Sequence, residues 1–290
     1  MNILVLGKNG QLGQSFQHLA QNEHSWQWKF ADKSILDLND PHFREQLLSF
    51  KFDILINCAA YTAVDKAETD IDTAYQSNSI AVRHMAEVCL DRNALLIHFS
   101  TDYVYHNTLR EPLLESSLTL PEGIYAKSKL EGENQILASG CKYLIFRTSW
   151  VISPYGNNFV KTMLRLAETN SILKIVSDQI GTPTLAVDLA AAVIQIIKLY
   201  QQNPSNFADY GIYNYSNTGE VSWNDLATEI FKLSNLKVEV LPISTAEYKA
   251  PASRPQYSVL STEKIRKTFG IVIPHWKDAL LRCLNQLSLN

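Results

Sequence analysis

Residues 2–13 read NILVLGKNGQLG, and how this stretch folds decides how the rest of the chain is organised. The apolar run at 2–6 does not alternate with polar residues, as expected of a strand buried on both faces of a parallel sheet. It stops at Gly7, glycines recur at Gly10 and Gly13, and a helical stretch follows from about Gln11 to Gln21. Gly-x-x-Gly-x-x-Gly between a buried strand and a helix is a variant of the dinucleotide fingerprint. Glycine lets the backbone turn tightly and approach a pyrophosphate, and the free N–H groups and dipole of the helix N-terminus favour the anion. The spacing alone is weak, but its place after an N-terminal strand is the context it requires.

Working outward, strands are expected at 26–31, 52–60, 94–101 and 142–150. Helices are expected at 40–50, with Asp40 as N-cap and Pro41 at the first position, at 72–92, and through YAKSKLEGENQILA from Tyr125. Strands alternating with helices imply right-handed βαβ units, so the fold class is α/β: a Rossmann-type doubly wound parallel sheet. Residues 1–150 are read as the NAD(P)-binding Rossmann domain and 151–290 mainly as a smaller C-terminal substrate-binding lobe, with room for later segments to return to the sheet. That lobe is expected to hold helices at 157–170, 184–202 and 222–235 and short strands at 173–177, 211–215 and 237–241. Ligands of such sheets sit beyond the carboxyl ends of the strands.

A net charge of −3 offers no field for nucleic acid. No stretch approaches the length of a membrane span, the N-terminus lacks the pattern of a secretory signal, and four scattered cysteines form no Cys-x-x-Cys. A cytoplasmic setting is the simplest expectation.

Asp32 follows the second strand, 19 residues after Gly13, where a carboxylate can accept from a ribose 2′-hydroxyl and would repel a 2′-phosphate. Lys29 and Lys33 stand beside it and could offset that repulsion, so NADPH or NADH stays open as the coenzyme. Tyr125 and Lys129 are four apart, on one helix face, with Lys127 pointing elsewhere. An ammonium beside a phenol lowers its pKa, so the pair could be a tuned proton donor. Ser100 and Thr101 end the fourth strand, which faces this helix in the proposed sheet.

These motifs together, with NCAAYTAVDKAE (57–68), STDYVY (100–105) and YAKSK (125–129), resemble the extended short-chain dehydrogenase/reductases. FRTSWV (146–151), GNNFVKTMLRLA (156–167), DQIGTPT (178–184) and ASRP (252–255) narrow the resemblance, over essentially the whole chain, to the dTDP-4-dehydrorhamnose reductase family. The resemblance implies reduction of the C4 keto group of dTDP-4-dehydro-L-rhamnose. It makes Tyr125 the proton donor, Lys129 the holder of the nicotinamide ribose and Thr101 the hydroxyl near the reacting oxygen. It also implies coenzyme contacts at Gln11 and Leu12, at Asp37 and Leu38, and at Ala60, Tyr61 and Thr62. Asp102 and Trp150 match positions near the sugar; Asn158 and Arg254 match positions nearer the nucleotide diphosphate. The alternatives are that Trp150 is core and Arg254 a surface ion-pair partner. Asp65 and Glu68 read as helix N-terminal carboxylates, Tyr103 and Tyr105 as packing residues, and His98 as packing beside the sheet without a role.

Ala126 replaces the glycine common after the family's tyrosine, and YHN at 105–107 departs from Phe-x-Gly, so the 106–124 loop is expected to follow its own path. Some members bind a divalent ion at a dimer contact through acidic residues; Ser15 and Val187 stand there instead, so no metal is expected and either monomer or homodimer is admitted. Two other functions fit the same fold: a dinucleotide-binding regulatory subunit without turnover, like that of methionine adenosyltransferase, and a nucleotide-sugar epimerase or dehydratase.

Overall fold

The computed structural model describes residues 1–105 and 110–288; the start of the 106–124 loop, including His106 and Asn107, lies outside the described residues. In chain order the elements are β1 (Asn2–Leu6), α1 (Gln11–Ala20), β2 (Gln27–Ala31), α2 (Phe43–Leu48), β3 (Ile54–Asn57), α3 (Val64–Ala67), α4 (Ile71–Tyr75), α5 (Ala81–Asp91), β4 (Leu95–Thr101), α6 (Gly123–Ser139) and β5 (Lys142–Thr148). There follow β6 (Val151–Ile152), α7 (Phe159–Ala167), β7 (Ile172–Val176), β8 (Ile180–Gly181), β9 (Thr184–Leu185), α8 (Ala186–Gln202), β10 (Gly211–Tyr215), β11 (Val221–Ser222), α9 (Trp223–Leu233), β12 (Glu239–Ile243), α10 (Thr245–Tyr248), α11 (Glu263–Phe269) and α12 (Trp276–Ser288).

The central sheet has the order β10-β5-β4-β3-β1-β2, and every pair in it is parallel. β1 shows why its sequence is apolar throughout. Ile3 and Val5 face one core, shared with Phe16 of α1 and Leu189, Val193 and Ile197 of α8. Leu4 and Leu6 face the other, shared with Phe43 and Leu47 of α2 and Val82 and Met85 of α5. Successive side chains of a strand point to opposite faces, so a strand covered on both sides needs apolar residues at every position. β10 pairs with β5 and α8 packs on α1, so both belong to the sheet layers. A third core, with Met163, Leu226, Phe231 and Trp276, gathers α7, α9 and α12 beside them.

Two helices depart from the sequence expectation by more than a few terminal residues. Asp40 is not an N-cap: α2 begins at Phe43 with His42 before it, while the Asp40 carboxylate accepts from His42 N at 2.7 Å and Gln46 Nε2 at 3.0 Å. The Asp40 carbonyl already closes a turn with Phe43 N, and this turn delays the helix. The helix expected over 72–92 is interrupted by a π segment at Gln76–Ile80. α6 presses there: a Cβ on Gly132 would lie 2.1 Å from the Asn78 carbonyl oxygen. A glycine at 132, with no Cβ, lets the two backbones pass this closely beside the π turn.

Candidate active site

The strand order reverses between β1 and β3, and the crevice of an open α/β sheet forms at such a reversal. The loops that follow these two strands touch. Gly7 has φ +76, and a Cβ there would fall 2.7 Å from Ala59 N. Gly13 is bare because a Cβ would lie 2.2 Å from the Gly7 carbonyl oxygen, which brings α1 close to the strand end. Gly10 is different. It is extended, and its nearest neighbour would be 3.4 Å away, so protein contacts do not demand a glycine there. No side chain caps α1, and the first N–H groups of a helix have no partner inside it. A bare Gly10 beside uncapped N–H groups fits a pyrophosphate.

Asp32 stands at the mouth of this loop. Its Oδ1 accepts from Ser34 N and Ser34 Oγ, and its Oδ2 meets Asn9 Nδ2 at 3.2 Å and Lys8 Nζ at 3.1 Å. These bonds, Ser34 first, hold the carboxyl well below its usual range. The cation that meets Asp32 is therefore Lys8, from the glycine loop. Lys29 instead lies over the Phe50 ring, and Lys33 pairs with Asp37. Leu38 is buried. Tyr61 is braced by Asn78, which accepts from Tyr61 N at 2.9 Å and donates to Tyr61 O at 3.1 Å, with Ala60 half-buried and Thr62 exposed on either side.

α6 brings Tyr125 and Lys129 to the end of β4, while Lys127 is exposed on another face. Lys129 is 2 % exposed and donates to the Phe99 carbonyl at 2.7 Å. Tyr125 hydrogen-bonds with Thr101 and sits edge-on to Tyr103, ring centroids 5.6 Å apart. Thr101 Oγ1 in turn donates to Asp102 Oδ1 at 3.1 Å. Burial pushes the Tyr125 phenol up to about 12, with Thr101 pulling the other way and Asp102 adding to the rise. The expected lowering by Lys129 is not what sets the phenol here, because loss of water outweighs every other influence. Burial also lowers Lys129 to about 8 and raises Asp102 to about 6. Ser100 Oγ is buried at this strand end without a partner, where a bound molecule would satisfy it, and Asp102 Oδ2 has only the Ser258 hydroxyl beside it.

A family model described as RmlD substrate binding domain matches residues 1–289. The chain is 39 % identical over 285 residues to the dTDP-4-dehydrorhamnose reductase of Aggregatibacter actinomycetemcomitans, covering 96 % of each chain. The chain belongs to the dTDP-4-dehydrorhamnose reductase family. Among solved structures it is similar to the dTDP-4-dehydrorhamnose reductase of Clostridium acetobutylicum, with a TM-score of 0.93, 38 % identity and coverage of 99 % of this chain and 100 % of that one. It is also similar to the dTDP-4-dehydrorhamnose reductase of Bacillus anthracis in complex with NADP, with a TM-score of 0.91, 38 % identity and coverage of 98 % and 99 %.

Trp150 follows β5 at φ +45, a left-handed backbone that is costly for a bulky residue. Its ring is stacked 3.5 Å from that of Trp223, and a Cβ on Gly181 would fall 2.5 Å from it. The half-buried indole thus packs closely against both Trp223 and Gly181. Asn158 caps α7, accepting from Lys161 N at 3.2 Å, and donates to Gln11 Oε1 at 3.1 Å. It therefore sits against the glycine loop, beside Gln11 and with Leu12 packed beneath in the core. Arg254 donates to Asp65 Oδ2 at 2.8 Å and to the Ala252 carbonyl at 3.1 Å, and its guanidinium faces the Tyr248 ring.

Asp65, in the first turn of α3, does more than favour a helix dipole, and Glu68 is not an N-terminal carboxylate of that helix but its C-cap, because α3 ends at Ala67. Asp65 ties segment 252–254 to the sheet domain, and Glu68 accepts from Ile124 N at 2.8 Å, at the start of α6. Sequence reasoning missed Lys8, Asn78 and the surroundings of His98. Asn78 carried one signal: it is a polar residue on the buried side of an otherwise amphipathic helix. Among the described residues, no three His, Cys, Asp or Glu side chains gather as metal ligands.

Proposed function

We propose that this chain reduces the C4 keto group of dTDP-4-dehydro-L-rhamnose with NADPH or NADH, giving dTDP-L-rhamnose. One observation carries the reading: Tyr125, bonded to Thr101, and the buried Lys129 stand together at the end of β4, at the sheet edge that also holds the bare glycine loop, in a chain of this family. A bound reduced nicotinamide supplies the hydride. Tyr125 gives its proton to the C4 oxygen as charge develops there, which is the task of a general acid within hydrogen-bond reach. A phenol pushed up to about 12 is protonated at any physiological pH, so the donor is always loaded. Thr101 orients the phenol and the carbonyl oxygen. Lys129 holds the nicotinamide ribose, Gly7, Gly10 and Gly13 admit the pyrophosphate, and Asp32 with Lys8 meets the adenosine ribose.

Residues of the lobe built on α7, α9 and α12 bind the sugar nucleotide. Trp150 and Asp102 face the sugar, while Arg254 and Asn158 serve the nucleotide end. The free cysteines suit a reducing cytoplasm, and the enzyme acts there as a monomer or homodimer. The test mixes purified protein with excess NADPH or NADH and dTDP-4-dehydro-L-rhamnose and follows the nicotinamide absorbance. Stoichiometric loss is expected. Binding without loss would instead mark a regulatory subunit, and sugar turnover with no net coenzyme use an epimerase or dehydratase.

The role of Arg254 has its own test. Its bond to Asp65 must be exchanged for phosphate oxygens on binding, and a guanidinium can bond two of them at once. Arg254→Ala is expected to raise KM for the sugar nucleotide about 10-fold with kcat nearly unchanged, the signature of lost ground-state binding. A fall in kcat at constant KM would move Arg254 out of this role.

A further inference from the structure

His98 is 1 % exposed in the middle of β4, and the reaction as described does not use it. Its two ring nitrogens have different neighbours. Nδ1 lies 3.1 Å from Asn57 Nδ2, and Nε2 lies 3.5 Å from Lys129 Nζ. Asn57, the last residue of β3, is itself oriented: Ala59 N donates to its Oδ1 at 3.0 Å. With its oxygen committed to that N–H, the amide turns its NH₂ to His98. An amide NH₂ only donates, so Nδ1 must accept, and a neutral imidazole then carries its proton on Nε2.

This leaves an N–H aimed at the lysine. An ammonium offers only donors, whereas an amine offers a lone pair. We propose that His98 is a positioning residue for Lys129: Asn57 locks its imidazole with Nε2–H directed at the lysine nitrogen, so that the lysine turns its lone pair toward the sheet and keeps its hydrogens for the Phe99 carbonyl and the cleft. The bonds then run in one direction, Ala59 N–H to Asn57, Asn57 to His98, His98 to Lys129, and Lys129 to Phe99 O.

The other groups around Lys129 do not undo this polarity. Tyr125 is on its own helix and is protonated; Asp102 lies beyond the end of β4, bonded to Thr101. Glu133, one turn along α6, favours the ammonium but is itself bonded to Arg147 of β5. Burial works in the same direction as His98: it lowers Lys129 to about 8 and holds the His98 ring neutral. Lys129 is thus the ammonium below about pH 8 and the amine above it, and the bond from His98 Nε2–H forms as the lysine gives up its proton.

The inference deepens the reductase reading and rests on it only for its kinetic arm. The first measurement needs no turnover. Long-range ¹H–¹⁵N correlation spectra of the full chain labelled with ¹⁵N-histidine distinguish the two neutral tautomers, and the resonance missing in His98→Leu identifies His98 among the seven histidines. The Nε2–H form is expected for His98, and an Nδ1–H form overturns the proposal. Asn57→Asp offers Nδ1 an acceptor and is expected to convert the ring to the Nδ1–H form. An unchanged tautomer would show that Asn57 is not the lock.

The kinetic arm reads the alkaline limb of the kcat/KM–pH profile. His98→Leu removes a donor that favours the neutral amine, so the limb is expected to move up by about 0.5–1 pH unit, the worth of one hydrogen bond. A limb that stays in place marks His98 as packing, and one that moves down marks it as an acceptor for the ammonium; either overturns the proposal. A wild-type chain without turnover would refute the reductase reading, and the spectra would still decide the tautomer.

Discussion

Tyr125→Phe lowers kcat by at least about 10²-fold, the low end for loss of a general acid, and leaves the fold and coenzyme binding in place. The substitution is clean because the ring has separate work. Edge-on packing against Tyr103 at 5.6 Å uses the aromatic edge and face, which phenylalanine keeps. Only the O–H is lost, and with it the bond to Thr101. Coenzyme titration and thermal melting should therefore match the parent chain, while steady-state kinetics should not. The pH profile adds a second check. With the phenol pushed up to about 12 by burial and Lys129 brought down to about 8, an alkaline limb near pH 8 belongs to the lysine, whose charged form is lost as pH rises through that value. The residual activity of Tyr125→Phe should keep this limb. A variant with near-normal kcat would remove Tyr125 from its role, and one whose limb vanishes with the hydroxyl would assign that limb to the phenol instead of the lysine.

What could be read before the structure, and what could not, divides on physical grounds. The glycine spacing and the unbroken apolar strands were legible because they answer to local rules: a backbone turn, and a strand covered on both faces. The pair at Tyr125 and Lys129 was legible for the same reason, since helical periodicity alone places residues four apart on one face. The state of that pair was not. Helical spacing says nothing about how much water the folded cleft excludes, so the phenol was read as lowered when burial in fact raises it. Contacts between distant segments were equally hidden. Lys8 meets Asp32 only because β1 and β2 are neighbours in register, and the π segment at Gln76–Ile80 answers to Gly132 on another helix. The Asp65–Arg254 bond joins residues far apart in the chain and turned a supposed dipole carboxylate into a tie between two segments.

The same kind of long-range constraint makes Arg147 the residue whose loss should cost the most stability. Its guanidinium is almost wholly buried on β5. It donates to Glu133 of α6 through Nε and Nη2, with the shortest contact 2.6 Å, and to the Tyr105 hydroxyl at 2.8 Å. Tyr105 passes the chain on to Asn214 of β10 at 2.9 Å, and Asn214 donates to the Leu113 carbonyl at 2.8 Å. Two strands, one helix, Tyr105 and the 113–115 segment thus meet at one cation. Arg147→Met strands the Glu133 carboxylate in an apolar interior, and breaking one partner of a buried pair costs about 3–5 kcal/mol. The denaturant midpoint should fall accordingly. The double variant Arg147→Met/Glu133→Leu removes the stranded charge as well, and it should recover most of that loss, because paired charges gain little over well-packed apolar groups. A single variant that unfolds with the parent chain, or a double variant no better than the single, would show that the pair does not hold α6 to the sheet. Glu133 lies four residues beyond Lys129, on the same face of α6. The ion pair therefore fixes the register in which α6 presents its lysine and tyrosine to the end of β4, and the double variant, though folded, should lose kcat through that register.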